Sequence, residues 1–237
     1  MADKTSNSDQ VYNPPAEFSA GANVKSLDEY HQIYERSIRD PESFWADQAE
    51  KRITWFEKWH TVRQCDYHKA EIAWYLGGKL NACYNCVDRH VENGRGDDIA
   101  LIWEGNDPTE SKTFSYGELL DEVQKAGNAL KHLGITKGDR VCMLSPNSHF
   151  FLESFYGTSQ IGAVLVPLNY RLKASEHQYI LNHAGVKVVL VDHEYVVLID
   201  EIRSQLSAVE HWIVARDEGD APPDWIDWEA LIEVSDD

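Results

Sequence analysis

The chain has 237 residues, with 22 Lys+Arg against 40 Asp+Glu and a formal charge of −18 when the histidines are neutral. So acidic a balance disfavours nucleic acid and anionic membrane surfaces, both of which are gripped by Lys and Arg. With 43% hydrophobic and 26% charged residues the make-up is that of a globular protein and not of a disordered chain.

No apolar run approaches the ~18 residues of a spanning helix. The polar start, Met1-Ala2-Asp3-Lys4, has no hydrophobic signal segment, and four cysteines are too few for a disulfide scaffold. The expectation is a soluble cytoplasmic protein with reduced thiols, no nucleic-acid partner and no membrane insertion.

Residues 1–26 carry Pro14-Pro15 and scattered small polar residues without a sustained period, and read as a mobile arm. From Leu27 to about Glu92 the pattern is helical and rich in aromatics. Asp40-Pro41-Glu42 is a helix opening: Asp40 can cap, Pro41 needs no N–H at the first position, and Glu42 meets the positive dipole end. Phe44, Trp45, Trp55, Phe56, Trp59, Trp74 and Tyr75 are either a ligand cage or, more commonly, packing. The domain reading is an arm over 1–26, a helical region over 27–97 and an α/β region over 98–237.

The α/β region starts with a strand at Ile99 to Trp103, a turn through Asn106-Asp107-Pro108 and a strand at Lys112 to Phe114. Ser115 and Glu118 form a capping box, with Phe114 and Leu119 at the staple positions. Leu119, Val123, Ala126, Leu130 and Leu133 recur at helical spacing, and Gly134 gives the stop, so the spacing predicts a helix over 116–133. Strands are expected at 140–144, 163–166, 186–191 and 212–214, and helices at 148–161, 175–184 and 194–206. Apolar strands alternating with amphipathic helices predict a mainly parallel βαβ sheet covered on both faces. After Arg216 come nine acids and no base, which read as a short amphipathic surface segment or as an acidic interaction tail.

Candidate chemistry is sparse. Cys83, Cys86 and His90 would share a helix face, but a structural zinc needs four ligands, and Cys65 and Cys142 stand alone. His193-Glu194 lacks the second histidine of a zinc-protease helix, since position 197 is Val197. No phosphate-binding G-x-x-x-x-G-K-[ST] or G-x-G-x-x-G is present. Gly77-Gly78-Lys79 and Gly94-Arg95-Gly96 read as a helix end and a surface turn. Ser145-Pro146-Asn147 follows a strand at the carboxyl edge where open α/β sheets bind ligands, and is either a pocket lining or an ordinary turn. The residues by themselves assign no catalytic, cofactor or metal site.

Longer strings carry more. Trp74-Tyr75-Leu76-Gly77-Gly78-Lys79-Leu80-Asn81, Cys83-Tyr84-Asn85-Cys86-Val87-Asp88-Arg89-His90 and Ile102-Trp103-Glu104-Gly105 resemble the N-terminal region of acetyl-CoA synthetases, over roughly 26–134. From Gly138-Asp139-Arg140-Val141 the chain resembles adenylate-forming acyl-CoA ligases in general. Leu144-Ser145-Pro146-Asn147, Gly162-Ala163-Val164-Leu165-Val166-Pro167-Leu168-Asn169 and Tyr170-Arg171-Leu172 are closer to the medium- and long-chain acyl-CoA or aryl-CoA branch.

The resemblance implies an AMP-forming acid–thiol ligase: carboxylate, ATP and CoA give acyl-CoA, AMP and pyrophosphate, with Mg²⁺ as cofactor and acetate or another short-chain acid favoured. The family's Ser/Thr/Gly-rich ATP loop and C-terminal lysine lie downstream of the matched region and do not occur in 1–237. The expectation is therefore an N-terminal fragment, inactive by itself and prone to self-association. A medium-chain acyl-CoA ligase fragment, or a non-catalytic interaction module on a ligase-like scaffold, is the alternative.

Overall fold

A computed structural model describes residues 12–107, 109–216 and 220–235. The chain divides into two compact units, 1–78 and 79–237.

In the first unit a short helix α1 (Ala16–Gly21) precedes α2 (Leu27–Arg39) and α3 (Pro41–Arg52). Ser26 caps α2 by accepting the Glu29 N–H at 3.1 Å. Asp40 caps α3 by accepting the Ser43 N–H at 3.2 Å with Pro41 in the first turn, as its sequence predicts. The arm expected over 1–26 is helical at α1, and its first eleven residues lie outside the described ones.

The region expected to be mainly helical contains an antiparallel hairpin, β1 (Thr61–Asp66) and β2 (Glu71–Leu76). The reason is side-chain pairing. Arg63 faces Trp74 and Cys65 faces Ile72, so each cross-strand pair includes one residue, Trp74 or Ile72, of a type that favours a pleated surface. The Arg63 guanidinium also lies 5.5 Å from the Trp74 ring. Gly77, expected at a helix end, instead closes β2 at φ 79°. The aromatic rings pack on one another, Trp55 on Trp59 at 4.9 Å and Trp59 on Tyr75 at 5.2 Å, and the Tyr75 hydroxyl donates to the Trp45 carbonyl at 3.0 Å.

The second unit opens with α4 (Ala82–Cys86), α5 (Asp88–His90) and a π-helical turn, Val91–Arg95. An antiparallel hairpin follows, β3 (Ile99–Glu104) and β4 (Ser111–Ser115), then α6 (Tyr116–His132). Both halves of the predicted capping box form: Ser115 N–H donates to Glu118 Oε2 at 2.8 Å and Glu118 N–H to Ser115 Oγ at 3.2 Å. Phe114 and Leu119, the two staple residues, are buried in one cluster.

The rest alternates: β5 (Arg140–Leu144), α7 (His149–Gln160), β6 (Val164–Pro167), α8 (Ala174–Ala184), β7 (Val188–Asp192), α9 (Val196–Asp200), β8 (His211–Ala215), β9 (Ile226–Asp227) and α10 (Trp228–Glu233). These five strands form one parallel sheet in the order β6-β5-β7-β8-β9. The α/β architecture expected from the alternation is present.

Strand periodicity builds the two faces. Val141, Met143, Val188, Leu190 and Ile213 point to one side and pack with Ala126 and Leu130 of α6, Phe150 of α7 and Trp228 of α10. Cys142, Leu144, Val189, Val191 and Val214 point to the other and pack with Leu181 of α8 and Val196 and Ile199 of α9. Each face is therefore covered by helices, which is what continuous apolar strands require.

Two details differ from the sequence reading. The helix expected over 194–206 is a 3₁₀ turn (His193–Tyr195), α9 and a second 3₁₀ turn (Arg203–Gln205). Val196, Ile199, Ile202 and Leu206 are nonetheless buried in one cluster, so the segment keeps an apolar face across its breaks. The terminal segment expected on the surface adds β9 to the sheet and buries Trp225 and Trp228.

At the amino edge of the sheet, Asp139 accepts from Thr136 N–H and Oγ, both at 2.9 Å, and pairs with Lys187 at 2.8 Å. Arg140 Nε donates to the Ala184 carbonyl at 2.8 Å, beside Gly185, whose φ of 63° ends α8. The Lys187 ammonium and the Thr136 donors hold the Asp139 carboxyl at about 2, against an ordinary 3.8.

Two predictions follow from this packing. Where α7 crosses α6, a Cβ on Gly157 would lie 2.6 Å from Ala126 Cβ and 3.0 Å from the Gly127 backbone nitrogen. Gly157→Ala should therefore destabilise by about 1–3 kcal/mol in urea unfolding. Because the Asp139 pKa is depressed on folding, its stabilisation is complete above about pH 4 and lost as pH falls toward about 2. Asp139→Asn should be less stable than the parent at neutral pH, with the gap closing in acid.

Candidate functional site

In the sheet, β5 leads out to β6 on one side and β7 lies on the other. The chain leaves β5 for α7 on one face and leaves β7 for α9 on the opposite face, as their partners in the two core clusters establish. The loops at the carboxyl ends of β5 and β7 therefore diverge, the arrangement that opens a crevice at a topological switch point. A crevice of about 540 Å³ lies there.

Its floor and walls come from six places, Glu229 of α10 among them. Pro146, Asn147 and His149 follow β5, Tyr170 follows β6, Asp192 to Glu194 end β7, and Arg216 follows β8; Trp103, Glu104 and Glu110 belong to the β3–β4 hairpin. The Ser145-Pro146-Asn147 segment is thus both things its sequence allowed. It is a turn into α7, where Ser148 Oγ accepts the Phe151 N–H at 3.3 Å, and Pro146 and Asn147 line the crevice.

The hairpin wall is locked to this turn, since the Trp103 indole N–H donates to the Asn147 carbonyl at 3.1 Å. His149 sits edge-on to the Trp103 ring at 5.6 Å and its Nδ1 is 2.8 Å from Glu153 Oε1. Glu153 is only 6% exposed, so a buried carboxylate fixes the orientation of a crevice-lining imidazole. The sequence reading passed over this pair; its signal was the i,i+4 spacing of His and Glu on the expected helix.

The crevice is acidic. Glu104, Glu110, Asp192, Glu194 and Glu229 all line it. Its arginine, Arg216, is already paired with Asp227. Burial pushes Asp227 up, but the Ala230 N–H and the Arg216 guanidinium outweigh it and hold the carboxyl below the usual range. Burial, with the Asp227 charge added, raises Glu229. His193 Nδ1 lies 3.3 Å from Asp192. A bare polyphosphate here would meet five carboxylates and one engaged arginine, so these residues do not by themselves fit an uncomplexed triphosphate.

The cysteine cluster goes elsewhere. Cys83 is fully buried and its thiol donates to Asp88 Oδ2 at 3.2 Å; burial and the Asp88 carboxylate push its pKa far up. Cys86 is exposed, and the His90 ring packs on Tyr116 at 4.7 Å. Among the described residues no three His, Cys, Asp or Glu side chains converge as a metal site.

Comparison with known proteins defines the class. The model of the AMP-binding enzyme family matches residues 87–236, well over half of the chain, and the chain belongs to that family. Immediately before it, residues 30–86 match the acetyl-coenzyme A synthetase N-terminus.

Acetyl-coenzyme A synthetases are among the most similar curated proteins. That of Magnetococcus marinus is 44% identical over 155 residues, covering 65% of this chain and 24% of the relative. That of Rubrobacter xylanophilus is 46% identical over 154 residues, covering 65% and 23%. The chain thus spans about a quarter of the length of these relatives and is acetyl-CoA synthetase-like over that span. Among solved structures, the anthranilate CoA ligase AuaEII in complex with anthranoyl-AMP superposes with a TM-score of 0.59 at 29% identity, over 66% of this chain and 28% of that one.

The buried pair gives a prediction for the site. Glu153→Ala removes the partner of His149 and should cost about 1.5–3 kcal/mol of stability in urea unfolding, the range for a charged hydrogen bond.

Proposed function

We propose that this chain supplies the N-terminal region and the first sheet of an AMP-forming acyl-CoA synthetase, with acetate or another short-chain acid as substrate and ATP, Mg²⁺ and CoA as the co-substrates and cofactor of the whole enzyme. The observation that carries the reading is the unbroken succession of two family matches, acetyl-CoA synthetase N-terminus over 30–86 and AMP-binding enzyme over 87–236. The switch-point crevice adds support, because open α/β sheets bind ligands at that place.

The residues present contribute a wall and not the grip on the nucleotide. The crevice carboxylates repel phosphate, and cations that could offset charge on a transferring phosphoryl group are not supplied by Arg216, which is paired with Asp227. On this reading 1–237 alone catalyses neither adenylation nor thioester formation.

A second reading places the substrate among longer or aromatic acids. It is favoured by the strings from Leu144 to Leu172 and by the structural likeness to an anthranilate CoA ligase.

Purified 1–237 should give no ATP–pyrophosphate exchange and no hydroxamate with acetate, propionate or octanoate, and turnover with any of them would overturn the proposal. Exchanging the aligned segment of the Magnetococcus marinus acetyl-coenzyme A synthetase for this one should leave a folded, acetate-dependent enzyme. A folded chimera that prefers octanoate or anthranilate to acetate would favour the second reading.

A further inference from the structure

His177 lies in the first turns of α8 and is 0% exposed. Neither of its ring nitrogens has a hydrogen-bond partner among the described residues. Buried polar atoms are nearly always paired, so an imidazole with both nitrogens orphaned is a weak point held by its surroundings. Those surroundings border the crevice. The loop before α8 runs from Leu168, whose N–H donates to the Met143 carbonyl at 2.8 Å, to Lys173, whose N–H donates to Glu176 Oε2 at 2.9 Å. Between them Tyr170 lines the crevice and packs on Tyr195 at 6.0 Å. The His177 N–H closes the first turn of α8 on the Lys173 carbonyl at 3.1 Å.

We propose that His177 is an acid-sensitive latch: while neutral it can stay buried and hold the 168–177 segment against the sheet, and once protonated it must leave, freeing the loop that carries Tyr170 at the crevice mouth. A buried cation whose favourable contacts, Glu176 and the Leu172 backbone, are outweighed by burial is more costly than a buried neutral ring. A segment made of a loop and a helix's first turn opens at lower free energy than the core.

Charges around the ring do not offset this cost. Glu176 on the same helix is the carboxylate that acts on it, favouring the charged form as the Leu172 backbone does, and burial outweighs both, so the pKa lies below the ordinary imidazole value. Arg171 and Lys173 flank it in the loop. Glu194 and Tyr195 lead into α9, and Asp200, at its end, is 3.6 Å from Arg203. The partners α8 meets in the core, Val189, Val191, Val196 and Ile199, are apolar.

The sign is fixed by the lowered pKa. The neutral ring contributes full stability above the unfolded value of 6.5, and that contribution falls as pH drops through it. The inference is independent of the acyl-CoA synthetase reading.

Hydrogen exchange, corrected for intrinsic rates, tests it on the whole chain. Between about pH 6.5 and about pH 5.5 exchange in 168–177 should rise up to about tenfold, while α6 stays unchanged, and His177→Phe should abolish the rise. An equal rise in parent and variant would overturn the proposal. Should the variant fail to fold, an NMR titration of the parent decides. The latch requires His177 to protonate only together with shifts in the 168–177 amides. A ring that titrates like an exposed histidine while those amides stay fixed would refute it.

Discussion

The structure of the second unit depends on burying both faces of two adjacent strands. Val141, Cys142, Met143 and Leu144 of β5 and Val188 to Val191 of β7 are all 0% exposed. With side chains alternating between faces, such a pair needs cover on both sides. The chain meets that need by sending α7 to one face and α9 to the other. The crevice follows from the same requirement, because the loops that leave two paired strands for opposite faces diverge at the strands' carboxyl ends. What holds the core together also creates the place where a ligand fits. At the amino edge, Lys187–Asp139 and the Arg140 bond to Ala184 tie the same two strands together.

Polar chemistry then distinguishes this crevice from a phosphate cradle. Five carboxylates face a space whose arginine is already neutralised by Asp227, in a chain of net charge −18. The more rigid features are structural. Trp103 pins the turn after β5 through Asn147, and Glu153 pins His149.

Local signals carried most of the second unit. The Ser115–Glu118 capping box, the stop at Gly134 and the apolar runs at β5 and β7 were each legible because a backbone requirement maps onto one or two residue types. The hairpin of β1 and β2 was less so. Its stability comes from pairs such as Arg63 with Trp74, which are eleven residues apart in the chain, and a count of aromatic residues does not reveal pairing. The segment after β7 misled for a related reason: the apolar face of Val196, Ile199, Ile202 and Leu206 reads the same whether the helix is continuous or broken into short turns. Of the site, the Ser145-Pro146-Asn147 turn was legible from its place after a strand. Trp103 and Glu229 were not, because the hairpin and α10 reach the crevice only through tertiary folding. The orphaned imidazole of His177 was invisible for the same reason.

The central claim is that the β5–β7 pair is the spine from which helix placement and crevice both derive. Native-state hydrogen exchange measured strand by strand in increasing denaturant tests it most directly. The account predicts that the amides of Val141 to Leu144 and Val188 to Val191 exchange only through global unfolding, and more slowly than those of β6 and β9 at the sheet edges. Exchange of β5 and β7 by local opening, at the rate of the edge strands, would contradict it.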